Sequence, residues 1–210
     1  MNIGRYVFRP LFIQRRVCMI ELNNNQLIFS IEKLKSMNLS YYVINKFVEN
    51  NVLKKLNRKN YENLNYTGDF NEFVYVNAFF SKGVICLISA ASYYELTNII
   101  PQSVDIAIYK KDNVRILPEW PNVSLYYYSK KRHNLGIKKI NVGNDFFYIY
   151  DIDKTVADIV YYREKIGIQE TKEIIKNYLI NKDKNLNSLV RYAKELGCYE
   201  VIKTYMEVLL

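Results

Sequence analysis

The apolar residues of this chain change their spacing twice, and that change limits the fold more than any other feature. Over the first fifty residues they recur at helical intervals. Beyond Pro101 the period drops to two: Val104, Ile106 and Ile108 alternate with Asp105 and Ala107, 123–128 is aromatic and rich in β-formers, and 137–142 and 146–150 flank Gly143-Asn144 as a hairpin. From Asp151 the helical interval returns and is kept. All-α and all-β folds are excluded. The order predicts an α+β protein, with a helical unit over 1–65 followed by an α/β unit over 66–210 that has a mixed sheet and a helical tail.

Within 1–65, Pro10 suits a first helical position, and Leu11, Ile13, Val17 and Ile20 repeat until Asn23-Asn24-Asn25. Ser30 is a good N-cap for a second helix carrying Ile31, Leu34 and Met37, and Asn38-Leu39 makes a short turn. Ser40 caps a third helix over 41–50. Its apolar residues are Val43, Ile44, Phe47 and Val48, and its polar ones Tyr42, Asn45, Lys46 and Glu49. The segments 52–56 and 60–61 then flank the polar turn Asn57-Arg58-Lys59 as a short hairpin tipped with positive charge. Helix, tight turn, amphipathic helix and basic hairpin are the parts of a winged helix-turn-helix.

Charge agrees with that reading. The chain carries a formal net charge of +9, and residues 1–65 hold eleven basic side chains against four acidic ones, whereas the last sixty residues hold ten of each. A polyanionic partner is therefore expected for the N-terminal unit. Asn45 can pair with an adenine edge, Ser40 and the helix start can hold a phosphate, and Lys54, Lys55, Arg58 and Lys59 can neutralise the backbone.

The remaining chemistry is sparse. A single histidine, His133, excludes multi-histidine metal sites, and its neighbours Lys130, Lys131 and Arg132 place it in a solvated loop. Cys18, Cys86 and Cys198 form no CxxC pair and read as small hydrophobes in a reducing cytosol. Arg5, Arg9, Arg15 and Arg16 interrupt any signal-peptide apolar region, and no apolar stretch nears the roughly 18 residues of a membrane helix, so a cytoplasmic protein without a membrane partner is expected. The segment 84–94 reads as a buried helix opened after Gly83. Asp151 or Asp153 caps a helix that runs to Lys165 before Gly167, a second runs over 169–180, Asn185 caps a third that Gly197 stops, and a fourth starts at Tyr199. Asp151, Asp153 and Asp158 are close enough for a magnesium site, but the first two sit where carboxylates cap a helix. The nearest approach to a nucleotidyltransferase signature is 103–107, where Gln102 replaces the glycine and Ala107 the second carboxylate. Neither enzymatic activity, nor a cofactor, nor a metal is expected.

Taken together, the winged helix, the segment 83–93, Leu96-Thr97 leading to Ile100-Pro101, the run 150–158 (Tyr-Asp-Ile-Asp-Lys-Thr-Val-Ala-Asp) and the run 162–167 (Tyr-Arg-Glu-Lys-Ile-Gly) resemble the AbiEi antitoxins of type IV toxin-antitoxin systems. Asn51 and Asn60 stand where that family commonly has glycine around the wing, and residues 1–9 have no counterpart. The resemblance implies a winged helix that represses its own operon at operator DNA, usually inverted repeats. It also implies a C-terminal domain that opposes a nucleotidyltransferase toxin without a stable complex, in abortive infection of phage. It assigns DNA contacts to Ser40, Tyr41, Tyr42, Asn45 and Lys46 on the recognition helix and to Lys54, Lys55, Arg58 and Lys59 on the wing. Asp151, Lys154, Thr155, Asp158, Arg163 and Lys165 are the antitoxin motif, against which stands a structural reading: Asp151 and Asp158 cap and pair internally, with Arg163 bound to one of them. Two other functions compete: a winged-helix transcription regulator whose C-terminal domain senses a ligand or dimerises, and a nucleic-acid-modifying enzyme.

Overall fold

The computed structural model describes residues 22–112, 114 and 116–209, so the helix expected over 10–20 lies outside the described residues. The protein is a mixed α+β structure. Strand β1 (Ile28–Ser30) leads directly into α1 (Ile31–Ser36), whose first turn is closed by the Ser30 hydroxyl accepting from the Lys33 N–H. Asn38, at φ +61°, makes the left-handed turn that the sequence predicts, and Ser40 opens α2 (Tyr41–Glu49) by accepting from the Val43 N–H. Asn51, also at positive φ, starts the return through β2 (Leu53–Lys55) and β3 (Asn60–Asn63). These strands form an antiparallel three-stranded sheet in the order β1-β3-β2. Leu34, Leu39, Ile44, Phe47, Leu53 and Tyr61 fill the space between that sheet and the two helices.

The second sheet has five strands in the order β6-β5-β4-β8-β7. Between the two sheets, Asn71 caps α3 (Glu72–Phe79). Strand β4 (Val84–Ile85) lies antiparallel to β5 (Val104–Tyr109) and parallel to β8 (Asp145–Tyr150); β5 runs parallel to β6 (Val123–Tyr128), and β7 (Ile137–Val142) pairs antiparallel with β8. The mixed sheet and the Gly143-Asn144 hairpin are as the period-two pattern predicts.

Three expectations need correction. The helix expected over 84–94 is shorter: Val84 and Ile85 pair with both neighbouring strands, and α4 (Leu87–Tyr93) begins only after Cys86. An unbroken apolar run suits a doubly buried strand as well as a buried helix, so spacing could not divide it. Likewise β5 has no solvent face; it is buried almost throughout because strands flank it and helices cover it. The helix expected to run to Lys165 divides at Tyr162 into α6 (Ile152–Tyr161) and α7 (Arg163–Ile166).

The tail continues as α8 (Ile168–Ile180), α9 (Leu186–Leu196) and α10 (Tyr199–Leu209). Asn185 caps α9, and Gly197 ends it in the left-handed conformation, as expected. Helix α6 is buried from Ile152 to Val160, packed in a core with Tyr128, Tyr150, Ile174, Tyr178, Leu189 and Ala193. On the other face Phe147, Ile149 and Ile106 pack with Val74, Val76 and Leu27. No helix among the described residues is long and apolar enough to cross a membrane.

Candidate functional site

Helix α2 divides as its sequence pattern requires. Ile44 and Phe47 are buried, Val43 and Val48 lie half-buried at the margin, and Ser40, Tyr41, Tyr42 and Asn45 are exposed. Tyr41 and Tyr42 keep 57% and 59% of their surface. The outer face of α2 thus presents a hydroxyl, two phenols and an amide along about two turns. Lys35, which sequence reasoning did not single out, places its ammonium 4.2 Å from the Tyr41 ring centroid and adds a cation beside the helix start.

The lysines differ among themselves. Lys46 binds Glu49 at 2.6 Å on its own helix, and Lys54 lies 3.9 Å from the Glu62 carboxylate across the hairpin. Lys55, Arg58 and Lys59 are exposed and meet no carboxylate among the described residues. The positive charge at the hairpin tip is therefore available to a polyanion, whereas the two inner lysines are already part-neutralised.

The tip itself is held from both sides. The Asn57 side-chain carbonyl accepts the N–H groups of Lys59 and Asn60 at 2.8 and 3.0 Å, which closes the turn. The side-chain amides of Asn57 and Asn60 then both donate to the Ala78 carbonyl, at 2.8 and 2.6 Å. Ala78 is in the last turn of α3, where carbonyls have no partner within the helix. Asn60 is therefore an anchoring residue within β3, and of the two asparagines that stand where the resembled family has glycine, Asn51 is the one at positive φ.

The second group of residues assigned from the sequence lies mostly inside the protein. The Asp151 carboxylate caps α6 through the Lys154 N–H at 2.7 Å and accepts the Tyr192 hydroxyl at 2.7 Å. Thr155 is buried, its hydroxyl directed at the Tyr150 carbonyl. Lys154 and Asp158 are both fully buried and are bound to each other one helical turn apart. Asp158 also receives Arg132, whose Nε and Nη2 donate to its Oδ1 at 3.1 and 2.8 Å. Two cations thus share one buried carboxylate, and burial lowers the Lys154 pKa although Asp158 opposes the shift. The Arg132 guanidinium is enclosed by the rings of Tyr128, Tyr161 and Tyr162, at 4.1, 4.1 and 4.6 Å.

This corrects two expectations. The cation that joins Asp158 from outside the helix is Arg132, not Arg163, which instead donates to the Val160 carbonyl at 3.3 Å and approaches Glu164. His133 is not solvated: it ends the short helix α5 (Lys130–His133) and is only 7% exposed. A run of four basic residues reads as a solvated loop, but here Arg132 turns inward to Asp158 and the tyrosine rings, and His133 is buried beside it. Of the motif, Lys165 is exposed, lying 4.3 Å from the Tyr126 ring, and Asp151 and Arg163 are half-buried.

Asp105 is also buried. Its carboxylate accepts the Ile88 N–H at 3.2 Å, and burial pushes its pKa up to about 6. Ala107 beside it on the strand is buried and apolar, so no second carboxylate joins it. Asp153, one of the three acids close enough in sequence for a magnesium site, accepts the Tyr178 hydroxyl and the Asn185 N–H. Among the described residues no group of three histidine, cysteine or acidic side chains is placed to hold a metal ion. Comparison with protein-family models and with curated proteins gave no match.

Proposed function

We propose that this chain is a winged helix-turn-helix DNA-binding protein that represses its own operon and acts as an antitoxin against a nucleotidyltransferase. The observation that carries the DNA-binding half is the exposed face of α2, with Ser40, Tyr41, Tyr42 and Asn45 uncovered, beside a hairpin tip bearing Lys55, Arg58 and Lys59. A helix of this width fits the major groove, and the hairpin cations fit the flanking backbone. The antitoxin half rests on the sequence resemblance of 150–167, and within it on Lys165, which is exposed, and Arg163, which is half-buried.

The test has two parts, both on the full chain. Gel-shift titration on the DNA upstream of its own reading frame is expected to show binding that Asn45→Ala weakens far more there than on random duplex. Co-expression with the neighbouring nucleotidyltransferase is expected to restore growth, and Asn45→Ala is expected to leave that rescue intact. Binding that does not distinguish the two duplexes removes the repressor reading. Absence of rescue by the folded, expressed chain removes the antitoxin reading. A second reading, a winged-helix regulator whose C-terminal part takes a ligand, is favoured by an open cavity of about 480 Å³ lined by Tyr109, His133, Ile137 and Tyr148.

A further inference from the structure

An exposed hairpin turn of polar residues is ordinarily among the most mobile parts of a domain. The turn Asn57-Arg58-Lys59 is instead bound on two sides. The Lys59 carbonyl accepts the Ile31 N–H at 2.6 Å, which joins the turn to the first residue of α1. On the other side the Ala78 carbonyl, which no backbone N–H among the described residues meets, accepts the side-chain amides of Asn57 and Asn60. These two asparagines are half-buried, while Arg58 and Lys59 between them are exposed. The anchors thus face inward and the cations outward. Because α1 leads through the Asn38 turn into α2, both cations stand at a set offset from the outer face of α2.

We propose that Asn57 and Asn60 are positioning residues for DNA binding: they touch no DNA, but hold Arg58 and Lys59, before any duplex arrives, where backbone phosphates are met. The inference rests on the DNA-binding reading of α2 and the turn. Its physical basis is pre-organisation. A loose turn is ordered only on binding, and that entropic cost is subtracted from the affinity although the contacts finally made are the same. A turn already tied to Ala78 meets the cost when the chain folds. The two asparagines are not equivalent: Asn57 also closes the turn through its own carbonyl, whereas the side chain of Asn60 bonds to Ala78 alone among the described residues.

The test uses the full chain, with Asn57→Ala and Asn60→Ala combined and with Arg58→Ala as a contact variant. Affinity is read by fluorescence anisotropy at several salt concentrations, on the duplex upstream of the protein's own reading frame and on a random duplex. The double variant is expected to bind both duplexes about tenfold more weakly with the salt slope of the wild type, since the same phosphates are still met. Arg58→Ala is expected to lower that slope by about one. A titration at duplex concentrations far above Kd gives the active fraction, which is expected to equal that of the wild type, so weaker binding is not a matter of unfolded protein. Without DNA, amide hydrogen exchange at Ile31, whose partner is the Lys59 carbonyl, is expected to be about tenfold faster in the double variant, with Ile44 in the core unchanged.

The proposal is overturned if the double variant binds as tightly as the wild type, if its salt slope falls as that of Arg58→Ala does, if its loss lies wholly in the active fraction, or if Ile31 exchanges at the wild-type rate. Wild-type protein that binds neither duplex fails the DNA-binding reading itself, and the proposal with it. A wild type that binds beside a double variant that binds equally well fails the proposal alone.

Discussion

The Asp145 carboxylate, at the first position of β8, accepts the backbone N–H of Leu27 at 2.6 Å and that of Ile28 at 3.2 Å. The start of the small sheet is thereby fixed to the large one across more than a hundred residues of sequence. Hydrogen bonds to a charged acceptor contribute about 1.5–3 kcal/mol each, and the partners left behind are part-buried amides. Asp145→Ala is expected to cost about 2–4 kcal/mol, read as a lower urea midpoint, and Asp145→Asn, which keeps one acceptor, about half as much. Equal midpoints for wild type and Asp145→Ala would show that the contact contributes nothing.

The shared carboxylate of Asp158 sets an order among three substitutions. Asp158→Asn leaves Lys154 and Arg132 buried without an anion and is expected to cost about 3–5 kcal/mol. Lys154→Met leaves a neutral pair, Arg132 with Asp158, and is expected to cost clearly less. Arg132→Ala also empties the space between three tyrosine rings, so it falls between them or above. Denaturant titrations of the three variants check the order, and a Lys154→Met variant less stable than Asp158→Asn would contradict it.

Asp105 makes stability depend on pH. Its folded-state pKa of about 6 lies above the unfolded value, so between roughly pH 4 and pH 6 the folded chain holds more protons than the unfolded one. Stability contributed here is therefore greatest at low pH and is lost as pH rises through 6. Asp105→Asn keeps an acceptor for Ile88 and carries no charge. Relative to wild type it is expected to gain up to about 3 kcal/mol between pH 4 and pH 7.5. Asp145 and Asp153, also raised by burial, are common to both proteins and cancel in the difference. A constant difference between the two proteins over that range would rule the assignment out.

On DNA, Asn45→Ala is expected to cost about 1–3 kcal/mol on the cognate site and little on random duplex. Lys55→Ala and Arg58→Ala are expected to weaken all duplexes alike and to reduce the salt slope by about one each. Lys46→Ala is expected to do less than either, since Glu49 already shares its charge. Binding isotherms at several salt concentrations distinguish these outcomes.

Local signals were readable where one residue acts on its own neighbours. Ser30, Ser40, Asp151 and Asn185 announce helix starts because a short polar side chain reaches the amides one turn ahead, and Gly197 and Asn38 announce stops because they accept left-handed backbone. What was not readable depends on partners far away in sequence. Val84-Ile85 becomes strand because two other strands leave a slot between them. Arg132 turns inward because Asp158, Tyr161 and Tyr162, all more than twenty residues onward, close a cage around it with the nearby Tyr128. The outer face of α2 was legible from period alone, whereas the partial neutralisation of Lys54 by Glu62 required the hairpin register. The cavity beside His133 had no sequence signal, since its walls come from five separate segments.

The two asparagine amides that meet on the Ala78 carbonyl make the hairpin tip and the end of α3 a single mechanical part. Both bonds use one oxygen, so neither can follow a different motion from the other. The surface that carries Arg58 and Lys59 is thus tied to the end of α3 by two side chains of its own turn, so the placement of the tip's charges is set by the second layer of the protein as well as by the hairpin.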